Sequence, residues 1–153
     1  MARKVYGSLC NRIAEGKNYK ENKTIEVGDD ITMYYWSDRN CYYVTEVVDQ
    51  KHIFVKEYEV VADQSKPGGM GHQNWLYFKS RKEANIYMNK YMSGAFGKFP
   101  VEDVREPQAE EWVFRYGKWN RVVGVDDNGK KIYKHIQANI SFGVRDYYYD
   151  WEF

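Results

Sequence analysis

Apolar and polar residues alternate with the period of a β-strand in two blocks of the chain, and a block with helical spacing lies between them. After the turn signal Val27-Gly28-Asp29-Asp30, Ile31 to Trp36 is a run of β-branched and aromatic residues that predicts a strand. Ser37-Asp38-Arg39-Asn40 ends it. Tyr42 to Val48 is the next strand and Asp49 to Lys51 a tight turn. His52 to Val61 is a third strand, with Ile53, Val55 and Glu57 on one face and Phe54, Lys56 and Tyr58 on the other. Three strands joined by short turns describe an antiparallel meander. The loop Asp63 to Asn74, with Pro67-Gly68-Gly69 and Gly71, separates it from a short strand at Trp75 to Phe78.

Ser80-Arg81-Lys82-Glu83 has the spacing of a capping box, in which the serine hydroxyl and the glutamate carboxylate satisfy amides at a helix start. Ala84, Tyr87, Met88 and Tyr91 follow at helical spacing, and Gly94 is placed to end the helix in the left-handed conformation. Phe96 to Ala109, with Pro100, Pro107 and several acids, reads as a linker. The β pattern resumes at Glu111, with Trp112 to Arg115, a turn at Tyr116-Gly117-Lys118, and Trp119 to Val125. Asp126-Asp127-Asn128-Gly129 predicts a hairpin, because Asn-Gly tolerates the positive φ angles of a type I′ turn, and Lys130 to Ile136 pairs back. Tyr147, Tyr149, Trp151 and Phe153 then alternate with Asp146, Tyr148, Asp150 and Glu152, which predicts a last strand tied into the sheet.

The expected organisation is one domain over residues 1–153. A lead-in segment occupies 1–26, with a two-turn helix at Leu9 to Glu15; first barrel strands occupy 27–79, a helical insertion and linker 80–109, and closing strands 110–153. The fold class expected is mainly β (α+β), a small antiparallel SH3-like barrel with one inserted α-helix. Composition agrees: fifteen Tyr, seven Phe and five Trp stand against only Leu9 and Leu76, a balance that suits a pleated half-buried surface better than a helical bundle.

Charge narrows the partners. Lys and Arg number 23 against 22 Asp and Glu, a net charge of +1, so no global field selects polyanions. Cys10 and Cys41 lie far apart without CxxC spacing, which points to a reducing cytoplasm. No stretch approaches the ~20 apolar residues of a membrane span, so no membrane association is expected.

Several segments together resemble a family of small accessory proteins common in phage genomes: Val27-Gly28-Asp29, Trp36-Ser37-Asp38-Arg39, Tyr43 to Val47, Ile53-Phe54-Val55, Trp112 to Val122 and the terminal Tyr148-Tyr149-Asp150-Trp151-Glu152-Phe153. The Leu9-Cys10-Asn11-Arg12-Ile13 lead-in is similar as well, whereas Cys41, Tyr42 and the Ser80 to Gly94 helix depart from the family pattern. The resemblance implies an SH3-like barrel, a phage accessory gene and the cytoplasm of a bacterial host. It assigns no activity to individual residues.

Partner- or ligand-binding candidates are Tyr34, Trp36, Asp38, Arg39, Tyr42, Lys66, Trp119, Arg145 and Tyr148. At a barrel rim, Arg39 beside Asp38 would recognise a carboxylate or phosphate through paired hydrogen bonds; the alternative is that Asp38 caps a turn, Arg39 covers an aromatic ring and Trp36 is core. The loop Lys66 to His72 would offer amides and one ammonium to an anion, or serve only as a connector. The aromatic residues exceed what one small core hides, and the surplus at Tyr34, Tyr35, Trp36, Tyr42, Tyr43, Trp119 and Tyr147 to Tyr149 predicts a contact surface. His52, His72, His135, Cys10 and Cys41 form no ligand set, and no base, nucleophile and orienting group share a motif. An enzyme, a metal and a cofactor are therefore not expected.

The leading expectation is a phage-encoded binding protein that inhibits a bacterial host protein, for example a defence component such as a CRISPR effector. The alternatives are a sponge for a signalling nucleotide near Trp36, Arg39 and the Gly68 to Gly71 loop, and a nucleic-acid-binding accessory module. The terminal segment Arg145 to Phe153 leaves monomer and homodimer both open, since an edge strand there would pair with a second copy while Asp146, Asp150 and Glu152 would protect it.

Overall fold

A computed structural model describes residues 24–35, 38–65, 74–96 and 98–148. Residues 149–153 of the predicted terminal strand, the lead-in helix, Trp36, Ser37 and the loop residues 66–73 lie outside the described residues.

Among the described residues nine strands and one helix are formed. Strands β1 (Asp30–Tyr34), β2 (Arg39–Asp49) and β3 (His52–Glu57) make the expected meander. Next come β4 (Glu59–Ala62), β5 (Trp75–Phe78) and the helix α1 (Arg81–Phe96). Strands β6 (Glu110–Arg115), β7 (Lys118–Val125), β8 (Lys131–His135) and β9 (Asn139–Phe142) complete the fold. Seven strands share one antiparallel sheet in the order β8-β7-β6-β3-β2-β1-β9, and β4 with β5 forms a separate hairpin. The protein is thus mainly β with a single helix among the described residues.

The large sheet has to coil. Its edge strands β8 and β9 are joined only by Ile136-Gln137-Ala138, a tether that reaches at most ~14 Å from His135 to Asn139. Seven strands laid flat at their usual spacing would hold those edges ~29 Å apart. Side chains confirm the curl: the Trp119 ring of β7 lies 5.6 Å from Phe142 of β9, and Arg121 Nη2 lies 3.2 Å from the Tyr42 hydroxyl of β2. Bulges between Val44 and Glu46 and between Val47 and Asp49 add twist to the long β2. Among the described residues no ladder joins β8 to β9, so the coil stays open at that seam.

The concave side holds the main core, in which Ile31, Met33, Tyr42, Val44, Ile53, Val55 and Ile136 surround Trp112. Alternation explains the set, since residues two apart on a strand share a face. A second cluster, Cys41, Tyr43 and Tyr58, occupies the opposite face of β1 and β2 and is covered by Val60, Tyr77 and Tyr147. Strands β1 and β2 are thus buried on both sides, which is why their sequences read as continuous apolar and aromatic runs.

Tyr58 corrects the expectation of one strand from His52 to Val61. Its amide still bonds to Cys41 O at 3.0 Å, but its ring sits 4.8 Å from Tyr43 and its hydroxyl bonds to Asp30. That anchor stops β3 at Glu57, and the chain leaves to form β4 on the outer face.

The helix begins as predicted, with Glu83 N donating to Ser80 Oγ at 3.1 Å. The other free amides find a distant partner: Arg81 N and Lys82 N donate to the two carboxylate oxygens of Glu106 at 2.7 and 3.0 Å. Asn85 and Asn89 bond to Pro100 O, Phe99 O and Phe99 N and stitch the linker along the helix. Gly94 does not end the helix, which continues to Phe96. The helix packs on β4 and β5, with Tyr87 against Phe78 at 5.6 Å.

Two turns exchange the roles expected of them. In the Asp126 to Lys130 turn only Gly129 has positive φ (80°), and Asp126 Oδ1 accepts from Asn128 N and Lys130 N, so this is not a type I′ turn. The positive pair that type I′ requires occurs at Tyr116 (54°) and Gly117 (76°), between β6 and β7. At the other end of β8, Lys131 reaches over β7 to Glu111 at 2.5 Å, and His52 meets the same carboxylate at 2.7 Å. Burial opposes ionisation of Glu111, yet these two partners hold its carboxyl below the usual range.

Two outcomes are expected. Trp112 is fully buried, and among the described residues its Nε1–H has no hydrogen-bond partner. Trp112→Ala should cost about 3–5 kcal/mol in urea unfolding. Trp112→Phe, which removes an unsatisfied donor worth about 1–3 kcal/mol, should cost much less; equal losses would show that the donor is satisfied. The backbone amides of Arg81 and Lys82 hold the Glu106 carboxyl below the usual range. A depressed carboxyl contributes stability above the unfolded value of about 4.3, and that stability is lost as pH falls through the lower folded value. Glu106→Gln should therefore melt below the parent at neutral pH, with the gap closing on acidification, and parallel melting profiles would contradict this.

Candidate binding groove at the open seam

The open seam carries a groove of about 980 Å³. Its floor and walls come from three places that the tether brings together: Tyr34 and Tyr35 at the end of β1, Phe114 with Gly117, Lys118 and Trp119 around the β6–β7 turn, and His135 to Ile140 along the tether into β9. The type I′ turn at Tyr116-Gly117 reverses the chain tightly enough to set Phe114 directly opposite Trp119.

Trp119 is the best-held ring in the groove. Phe114 lies 5.4 Å away on one side and Phe142 lies 5.6 Å away on another. Tyr35 is 38% exposed, and its hydroxyl lies 2.9 Å from Met33 Sδ. Lys118 and His135 line the groove and are both exposed, and no carboxylate lines it among the described residues. Next to it the Arg115 guanidinium stacks over Tyr133 at 4.0 Å and near Tyr116 at 5.3 Å, and Tyr116 is 87% exposed.

Of the residues singled out by sequence, Tyr34 and Trp119 line this groove. Tyr42 is instead part of the main core, tilted against Trp112 at 5.2 Å; burial pushes its phenol up, with Glu57 and Glu110 adding to the effect and Arg121 opposing it. Asp38 closes the β1–β2 connection, its carbonyl accepting from Tyr35 N at 2.9 Å.

Arg39, Arg145 and Tyr148 gather on the other face of β1 and β2, where Asp146 joins them. Arg39 is only 9% exposed; its Nη1 bonds to Asp146 Oδ2 at 2.8 Å and its guanidinium lies over the Tyr148 ring at 4.8 Å. The backbones of Arg39 and Tyr148 also exchange both hydrogen bonds. Arg39 therefore does recognise a carboxylate, but one supplied by its own chain. Arg145 lies over Tyr77 at 4.4 Å, and burial, the leading cause, pushes the Tyr77 phenol up to about 12. Cys41 sits beneath this layer with its thiol raised to about 11 by burial, as suits a small buried hydrophobe. Trp36 and Lys66 fall outside the described residues.

Sequence reasoning passed over Phe114, Lys118, His135 and Ile140. The alternation of Ile140 and Phe142 with Asn139 and Ser141 was visible but too short to mark β9 by itself, and β9 is what brings the tether to the seam. Arg121, paired with Glu110 at 2.8 Å, was also missed, although its position one turn of the pleat from Trp119 puts it on the concave face. Among the described residues no group of three or more His, Cys, Asp or Glu side chains is placed to hold a metal ion, and no helix is long and apolar enough to cross a membrane. No family model, no curated protein and no solved structure matches the chain.

Proposed function

We propose that this is a binding protein whose groove at the open seam takes an apolar or aromatic side chain of a protein partner. We further propose that the chain is phage-encoded and that its partner is a bacterial host protein, such as a CRISPR effector or another defence component. The groove itself carries the binding reading: Tyr35, Phe114, Trp119, Ile136 and Ile140 line one concave site beside Lys118 and His135. Aromatic anchors in well-packed pockets dominate protein interfaces. A ring already held by its neighbours, as Trp119 is, also gives up little freedom on binding. Support for the phage origin and host target comes from the resemblance carried by Trp36-Ser37-Asp38-Arg39 and the Tyr148 to Phe153 ending. On this reading the coiled sheet is an SH3-like barrel whose last seam is left open for the partner.

The groove volume also falls at the upper end of the ~300–1,000 Å³ typical of small-molecule sites. That observation supports a second reading, a signalling nucleotide stacked on Trp119 with Lys118 beside its phosphate. The place first expected for a nucleotide does not favour it, because Arg39 is already paired with Asp146.

A photo-cross-linking residue placed at Tyr35 should give one discrete adduct in lysate of a susceptible host, the same residue at exposed Tyr91 on the helix should give none, and Lys118→Glu should weaken the Tyr35 adduct. Expression of the chain should also restore phage plating on a host carrying the targeted defence. Equal labelling at both positions would overturn the groove as the contact, and unchanged plating across a defence panel would overturn the host target. A nucleotide at 100 times its dissociation constant would stabilise the fold by ~2.7 kcal/mol, and such a thermal shift would establish the second reading instead.

A further inference from the structure

From the groove outward, β8 is an edge strand, and the phase of its ladder shows which backbone groups are unused. Ile136 N donates to Trp119 O at 3.0 Å and Asp126 N to Lys130 O at 2.8 Å. In an antiparallel pair hydrogen-bonded and non-hydrogen-bonded positions alternate, so these two bonds, with the register shift between Val122 and Gly124, direct the N–H and C=O of Lys131, Tyr133 and His135 away from β7. Among the described residues no hydrogen bond outside the β7–β8 ladder uses those groups. Beyond Arg121 the β7–β8 hairpin also has no ladder to β6, and Val123, Val125 and Ile132 are exposed along it. The result is a two-stranded arm with an open edge that begins at His135 in the groove.

Within β8 the ionised side chains are lysines, Lys131 and Lys134, with Lys130 just before it and Lys118 nearby in the groove lining. Lys118, Lys130, Lys134 and His135 make no ion pair among the described residues, and only Lys131 is neutralised, by Glu111. Lysines on an edge are a usual defence against self-association. Two β8 strands paired antiparallel about Tyr133 would set Lys134 of each opposite Ile132 of the other and diagonal to the other Lys134, a like-charge approach that is unfavourable. The same edge accepts a strand of opposite charge.

Building on the groove reading, we infer that the partner is bound by strand addition: an extended, acidic segment pairs its backbone with Lys131, Tyr133 and His135 of β8, while an apolar residue of that segment enters the groove beside Trp119. Backbone pairing supplies affinity in this mode and side-chain pockets supply selectivity. Carboxylates that share a face with the groove residue of the segment meet Lys134, which lies on the same face of β8 as Ile136, and Lys118 of the groove lining.

The probe is an acetylated nine-residue peptide that alternates glutamate with valine around a central phenylalanine, titrated into isotopically labelled protein. The amides of Lys131, Tyr133 and His135 should shift and become protected from exchange, and the Trp119 indole resonance should move with them. Binding should weaken with salt and by about tenfold or more in Lys118→Glu/Lys134→Glu. A version N-methylated at alternate residues, or with lysine for glutamate, should fail to bind. Movement of Trp119 without protection of β8 overturns strand addition and leaves the groove reading standing. Protection of β8 with Trp119 unmoved does the reverse. No binding of the acidic peptide, undiminished binding of the N-methylated one, or a symmetric dimer already protecting β8 overturns the inference.

Discussion

Ile136-Gln137-Ala138 is the tether on which the architecture depends. Strands that stand first and last in a seven-stranded sheet cannot be joined by three residues unless the sheet bends back on itself. The bend makes the concave side deep enough for Trp112, lets Arg121 of β7 reach Tyr42 of β2, and brings Phe142 to Trp119. It also leaves a seam where β8 and β9 approach without pairing, and the groove sits on the tether itself. Core, groove and open edge are thus products of one geometric restriction.

The inserted hairpin and helix solve a different problem. Coiling buries one face of β1 and β2 but leaves the other, with Thr32, Cys41 and Tyr43, to be covered. The β4–β5 hairpin supplies Val60 and Tyr77, and the segment after β9 supplies Tyr147, while Thr32 Oγ1 donates to Val144 O and accepts from Asp146 N. The partly buried Arg39–Asp146 pair belongs to this covering layer. Breaking such a pair by removing one partner leaves a charge stranded, so its role here is to hold the covering segment in place.

The meander, the capping serine and the two hairpins after the helix were legible because each depends on local signals: alternation, a capping residue, a turn dipeptide. Most of what escaped depends on contacts distant in sequence. Tyr58 follows the alternation of His52 to Val61, and nothing nearby reveals that Tyr43 and Asp30 will hold it and redirect the chain. Asn128-Gly129 is the stronger type I′ signal, but Asp126 Oδ1 bonds two amides and stabilises a different turn, while Tyr116 accepts the strained conformation beside Gly117. The candidate site was read in fragments for the same reason. Tyr34 and Trp119 were identified, whereas Phe114, His135 and Ile140 became partners only through the tether, and Arg39 looked available until Asp146 was placed beside it.

The pairing of β1 with β9 carries a consequence for how the chain reaches this state. Ile31 lies opposite Phe142, so the first strand of the sheet acquires its second neighbour only from residues more than a hundred positions later. Contacts of such separation carry a large loop-closure entropy and slow the search for the native state. On a ribosome, β1 to β3 would emerge with both faces uncovered long before β9 exists, and the uncovered edge of β1 would stay exposed to unwanted pairing until β9 is made.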